Sequence, residues 1–212
     1  MPNPETTRET IRRIHSVTGM VPVAAFLIAH FSVNAVAVRG PQAFDRAAVA
    51  LDRLPFLPLV EWGLIALPLA LHLALGVWLL ATDDVEPPPR TRAETWQRGT
   101  GIALAFFVIY HVWATRLSPQ IVGGSSERFA FMARHLEPPG VLAVYALAVL
   151  AASYHLGHGV VAFAARWGLA RGRAHATVRR AGVAVFVIAA WLGLNALLAF
   201  RLPAARWLEP PW

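Results

Sequence analysis

The sequence contains no cysteine and no lysine. Without a thiol the chain cannot form a disulfide, hold a thiolate-bound metal or ligate an iron–sulfur cluster by itself. Charge is scarce as well: 15% of the 212 residues are charged against 57% hydrophobic, and mean hydropathy is +0.51. That balance is too apolar for an ordinary soluble domain and marks a membrane protein.

A helix crosses the hydrocarbon core in roughly 20 apolar residues, and five runs reach that length: Ile14–Val38, Val60–Thr82, Thr95–Arg116, Pro139–Arg166 and Val178–Phe200. The expected fold is therefore all-α, a bundle of five transmembrane helices forming a single domain over residues 1–212, because spans and links use nearly the whole chain. The first run is longer than a signal-peptide core, carries Pro22 and His30, and lacks a convincing small-residue cleavage site, so it is expected to be retained. Pro, Gly and Ser clusters, DDVEPPPRTR after the second run and GGSSER after the third, end helices. Between the first two runs, RGPQAFDRAAVALDRLPFLP has apolar residues at helical spacing from Phe44 to Leu54, which predicts a short helix along the interface.

All nineteen basic residues are arginine. Arg8, Arg12 and Arg13 precede the first span, Arg90, Arg92 and Arg98 lie between the second and third, and Arg166, Arg171, Arg173, Arg179 and Arg180 lie between the fourth and fifth. These segments share one side, and the arginines of the other side are partly offset by acids, so the N-terminus is expected in the cytoplasm and the C-terminus outside. The arginines flank apolar spans and form no continuous face, which argues against a nucleic-acid partner. Trp62, Trp78, Trp96, Trp113 and Trp167 fall near span ends, as interfacial anchors do.

Histidines enter four spans: His30, His72, His111, and both His155 and His158. His15 stands at the cytoplasmic start of the first, and His135 and His175 are expected in loops. An ionisable residue inside a span is costly and points to function. At 1.5 Å per residue, His30 and His111 lie roughly 22 Å from the cytoplasmic side, and His72 and His155 roughly 15–16 Å. Two pairs from non-consecutive helices at matched depth are what two bis-histidine haems across a bilayer require. Gly76 and Gly159 follow His72 and His155 by four residues, leaving a side-chain-free spot for a flat macrocycle on the same face. His158, three residues after His155 and about 4.5 Å nearer the cytoplasm, leaves the fourth ligand open between the two, with depth favouring His155 only weakly.

The segments RRIHSVTGMVPVAAFLIAH, FDRAAVALDRLPF, LPLALHLALGVW, WQRGTGIALAFFVIYHVWATR and YHLGHGVVAFAARWG resemble, over almost the whole chain, the single-subunit, five-helix, di-haem cytochrome b anchors of succinate:quinone oxidoreductases. The resemblance implies that His30 and His111 ligate a distal haem b, and His72 and His155 a proximal one, with His158 as a pocket neighbour. It implies electron transfer from an iron–sulfur subunit through both haems to a quinone, with menaquinone favoured. FAD and the iron–sulfur clusters would belong to partner subunits on the cytoplasmic face of a bacterial membrane. Glu61, at the outer end of the second span, is the candidate proton relay for quinone, with Trp113 and Arg116 as further lining. The third and fourth spans have no mid-span carboxylate, which puts in doubt the dedicated proton route of some fumarate-reducing members. Arg13, His15, Ser16 and Arg166 lie cytoplasmic of the inner pair and are candidates to meet haem propionates. The fifth span has no histidine, only Asn195 as a polar residue, and is expected to pack. Rival readings are the cytochrome b anchor of a hydrogenase or formate dehydrogenase, and a non-haem membrane protein.

Overall fold

A computed structural model describes residues 4–82, 91–117 and 127–208. Most of the two Pro/Gly/Ser turns, residues 83–90 and 123–126, and the terminal Trp212 lie outside the described residues. Every regular element among the described residues is helical. Five helices are long and apolar enough to cross a membrane, and two shorter ones lie between them. In chain order these are α1 (Thr6–Arg39), α2 (Pro41–Asp52), α3 (Leu57–Thr82), α4 (Arg92–Leu117), α5 (Arg128–His135), α6 (Pro139–Arg166) and α7 (Ala174–Arg201).

The long helices begin at or before their apolar runs, and at two of them the start has a local cause. At α4, Thr91 Oγ1 accepts the Glu94 backbone N–H at 3.3 Å, and the Glu94 carboxylate accepts the Thr91 N–H at 2.9 Å. That reciprocal capping box satisfies donors no helical carbonyl can reach. Pro139 opens α6, where its missing N–H costs nothing. Inside the membrane the widened π turn Gly19–Val23 contains Pro22, and a second one, Val60–Ala66, ends just before Pro68. Proline removes a backbone donor and crowds the preceding turn, and a wider turn relieves both. A third π turn, Trp113–Leu117, ends α4.

The predicted interfacial helix is present as α2, started by Gly40 at φ +89° and then Pro41. Only glycine takes that φ without strain. His135 and His175, expected in loops, are helical: His135 is the last residue of α5, and His175 lies in the first turn of α7. The α5 pattern is legible afterwards, since Phe129, Met132, Ala133 and Leu136 recur at helical spacing. Its shortness, between a Gly/Ser cluster and a Pro pair, concealed it.

The chain divides into two compact units, one of residues 1–27, 58–101 and 154–186, the other of residues 28–57, 102–153 and 187–212. In the first, α6 and α7 touch backbone to backbone: a Cβ on Gly157 would come within 2.5 Å of the Gly182 carbonyl oxygen. Glycines allow such approach between membrane helices. The second has an aromatic centre, where the Phe44 and Phe129 rings lie 5.0 and 4.9 Å from Phe200 and Leu136 is fully buried. The Asp45 carboxylate accepts the Phe129 N–H at 2.8 Å, and Arg128 pairs with Asp52 at 2.6 Å. These contacts join α2 to α5, and withdrawing each phenylalanine from water contributes about 1.5–3 kcal/mol. On the spans, Leu64, Phe106, Ile109, Leu147 and Val187 stay exposed, as side chains facing lipid do.

Candidate functional site

In the first unit His72 of α3 and His155 of α6 face each other, with ring centroids 6.3 Å apart and planes at 90°. Each ring is anchored through Nδ1. His72 Nδ1 donates to the His15 carbonyl at 3.0 Å, and His155 Nδ1 to the Gln97 carbonyl at 3.2 Å, with Thr100 Oγ1 at 3.3 Å. A neutral imidazole that donates at Nδ1 keeps Nε2 as its lone-pair nitrogen. His15 returns the bond, its Nδ1 donating to the His72 carbonyl at 3.0 Å, and the two rings stack at 3.9 Å and 11°.

In the second unit His30 of α1 and His111 of α4 make a similar pair, with centroids 5.8 Å apart and planes at 85°. His111 stacks on Phe107 at 5.4 Å, and its Nδ1 lies 3.3 Å from the Tyr145 hydroxyl. That hydroxyl is also 3.0 Å from His135 Nε2, so a chain of polar groups runs from His111 through Tyr145 to the end of α5. His135 is only partly buried, yet burial lowers its pKa from the usual 6.5, which leaves Nε2 free to accept at neutral pH. Beside His30, Asn34 Nδ2 donates to the His30 carbonyl at 2.8 Å and lies 3.4 Å from its Nε2.

These pairs can be tested for an iron held between two imidazoles. A metal–imidazole bond of about 2 Å on either side puts the two ring centres roughly 6.3 Å apart. The first pair has that separation and the second is slightly closer. Anchored Nδ1 atoms are the outer-shell bonds that metal-bound histidines make. Among the described residues no group of three or more His, Cys, Asp or Glu could hold a bare ion. The donor set is two pairs, and it fits bis-histidine haem ligation.

His158 does not face His72; its ring lies parallel to Tyr154 at 6.0 Å, and its buried Nδ1 has no hydrogen-bond partner among the described residues. Gly76 faces the His15 ring, and Gly159 faces Met20 and Gln97. Arg13 and Arg166 come together on Glu9, each 3.2 Å from one carboxylate oxygen, and Arg13 also lies 5.6 Å over the Trp167 ring. With Arg171 they line a depression of about 290 Å³. Ser16 is partly buried next to His15. Glu61 falls in the first unit, whereas Trp113 and Arg116, both exposed, fall in the second with His30 and His111.

Gly19, Gln97, Gly101, Tyr145 and His135 touch the paired histidines or their supports and were not singled out from sequence. A Cβ on Gly19 would overlap the His72 ring, and one on Gly101 would meet His155 Cε1 at 3.1 Å. The signal for Gly19, Gln97 and Gly101 was the five-residue spacing of HSVTG and QRGTG, which matches that of HLALG and HLGHG.

Comparison with known proteins bears on the whole chain. The succinate dehydrogenase cytochrome b558 subunit of Bacillus subtilis (strain 168) is 37% identical over 194 residues, spanning 89% of this chain and 95% of the relative. The family described as the transmembrane domain of MDM10-complementing protein 1 matches residues 106–200. No solved structure matches.

Proposed function

The chain belongs to the family of succinate dehydrogenase cytochrome b558 subunits, and on that premise we propose that it is the membrane anchor and electron-transfer subunit of a succinate:menaquinone oxidoreductase. The chain, one cytochrome b domain over 1–212, lies in a bacterial cytoplasmic membrane with its N-terminus inside. It carries electrons between an iron–sulfur partner subunit and a quinone and does no chemistry on succinate, which is left to a flavoprotein partner. FAD and iron–sulfur clusters reside in those partners, consistent with a chain that has no cysteine.

His72 and His155 hold one haem b, and His30 and His111 the other. A bound haem b supplies a reversible one-electron couple within the span. The chain's own part is to present a neutral imidazole on either side, hold the His72, His155 and His111 rings through Nδ1, and surround the pairs with apolar helix. Arg13, Ser16 and Arg166 supply donors for propionates, and His158 and Gly159 complete the inner pocket, whereas the His15 N–H is engaged by the His72 carbonyl and its ring covers Gly76. Glu61, Trp113 and Arg116 serve the quinone, with Glu61 as the proton donor.

The observation that carries this reading is the perpendicular His72–His155 pair at 6.3 Å with both Nδ1 atoms anchored. A reduced-minus-oxidised spectrum with a haem-to-protein ratio tests it. Two b haems per chain are expected, one lost in His72→Ala or His155→Ala and the other in His30→Ala or His111→Ala. Loss of a haem in His158→Ala with none lost in His155→Ala would overturn the ligand set.

A further inference from the structure

We propose that both inner ligands are held by one device used twice, a reciprocal clasp between antiparallel helices, in which His15 and Gln97 are positioning residues and Gly19 and Gly101 seat the ligand rings. The proposal rests on the haem reading above and adds to it which residues aim the two ligands.

Four five-residue segments carry it: His15 to Gly19, His72 to Gly76, Gln97 to Gly101 and His155 to Gly159, each a polar side chain followed one turn later by glycine. Helices α1 and α3 bring the first two together. Each histidine donates its Nδ1–H to the other's backbone carbonyl at 3.0 Å. Each ring lies over the other segment's glycine, since a Cβ on Gly76 would come 3.2 Å from His15 Cε1 and one on Gly19 only 2.8 Å from His72 Nδ1. Helices α4 and α6 repeat the arrangement. Gln97 Nε2 donates to the His155 carbonyl at 3.1 Å, and His155 Nδ1 donates to the Gln97 carbonyl at 3.2 Å. A Cβ on Gly101 would lie 3.1 Å from His155 Cε1, and one on Gly159 4.0 Å from Gln97 Nε2.

The spacing has a physical cause. In a helix the carbonyl of residue i already accepts the N–H of residue i+4, but it has a second lone pair. A side chain at i+4 lies on the same face, over that lone pair. Glycine at i+4 uncovers it, so a donor from the neighbouring helix can reach the carbonyl while its ring lies flat on the backbone. Each clasp thereby fixes one ligand's Nδ1 proton and leaves its Nε2 for iron, the tautomer a metal-bound histidine needs. That Gln97 takes the place of His15 in the second clasp shows what the partner position requires: a side-chain donor long enough to cross to a carbonyl, not an imidazole.

The test uses the full chain in its purified complex. Gly19→Ala and Gly101→Ala should lose, or shift in midpoint potential, the haem that His72→Ala removes, and spare the other. Gly99→Ala is the control, because a Cβ there meets nothing within 4 Å. His15→Ala and Gln97→Ala should shift that haem's potential and its low-spin electron paramagnetic resonance signal, and His15→Gln should restore both toward wild type. This pair decides the matter if a glycine variant fails to assemble. Unchanged potentials and signal in both alanine variants, or a shift confined to the haem that depends on His30 and His111, would overturn the clasp. A wild-type protein without b-type bands refutes the haem reading instead. The clasp is then read in the same protein from ¹⁵N-histidine resonances: Nδ1-protonated His72 and His155 sustain it, and Nε2-protonated rings overturn it.

Discussion

Replacing Tyr145 by phenylalanine removes one oxygen from the middle of the His111–Tyr145–His135 chain. Tyr145 is 4% exposed, and its hydroxyl lies 3.3 Å from His111 Nδ1 and 3.0 Å from His135 Nε2. The consistent assignment has His111 Nδ1–H donating to the phenol oxygen and the phenol O–H donating to His135. Phenylalanine fills nearly the same volume but leaves both nitrogens without this partner, at a cost of about 1–3 kcal/mol. Tyr110, whose hydroxyl is 3.4 Å from His135 Nε2, can take up only the second of the two bonds. The larger consequence falls on the proposed ligand. Donating Nδ1–H to an acceptor makes an imidazole a stronger ligand, and losing such a bond weakens metal affinity about 10–100-fold. Ferric iron benefits more from a strong donor than ferrous iron, so its loss favours the reduced state. A tenfold difference between the two states corresponds to about 59 mV for a one-electron couple. Tyr145→Phe should therefore raise the midpoint potential of the haem held by His30 and His111 by up to about that amount, read by a spectroscopic redox titration. The haem held by His72 and His155 serves as the internal control. A fall in potential, no change, or a change in the control haem alone would refute this reasoning.

Glu61→Gln keeps shape but removes a titratable proton, so it should slow quinone turnover while leaving haem content and reduction of an artificial cytoplasm-side acceptor near normal; unchanged turnover would make Glu61 an interfacial residue only. An impermeant reagent should label the C-terminal Trp212 from outside and spare the Arg90–Arg92 turn, and the reverse pattern would invert the assigned topology. The pKa of His135 is lowered by burial from 6.5, so just below that pH the unfolded chain binds more protons than the folded one, and stability falls as pH drops through the window. His135→Gln should flatten that part of the thermal-stability profile between pH ~7 and ~5; a slope equal to wild type would show that other groups set it.

What could be read from the chain alone follows from how local each signal is. Span positions depend on apolar length, and the α6 bounds Pro139–Arg166 came out of the sequence unchanged. The start of α4 moved because Thr91 and Glu94 cap it from outside its apolar run. Pairing of His72 with His155 needed only a count of residues from one membrane face, since a helix converts number into depth. That count favoured His155 over His158 only weakly, because the two differ by less than one turn; in the structure the His155 ring meets His72 and the His158 ring lies along Tyr154. Half of the clasp pattern was visible at Gly76 and Gly159. Its other half was hidden because Gln97 is not a histidine and because a membrane-helix glycine has a plain packing use, as Gly157 and Gly182 show. The His135–Tyr145 contact joins two helices across a break at Glu137 and Pro138, and no periodicity reports it.

The contacts also explain why one span carries no histidine within its apolar run. Clasps tie α1 to α3 and α4 to α6, neighbours along the membrane part of the chain. The histidine pairs tie α1 to α4 and α3 to α6, helices that a hairpin would not join. If each pair holds a haem as proposed, the four histidine-bearing spans would be linked by metal bonds as well as by the clasps, and cutting one link would leave the others to hold the set. Among the five spans α7 takes part in neither kind of link. Its one mid-span polar side chain, Asn195, donates to its own Trp191 carbonyl at 2.8 Å, and it joins its neighbours by packing, through Gly182 on Gly157 and Gly193 against Val149. Substitutions at its glycines should therefore loosen packing without selecting one haem, whereas substitutions at Gly19 or Gly101 select one. That contrast separates a glycine that serves packing from a glycine that serves a ligand.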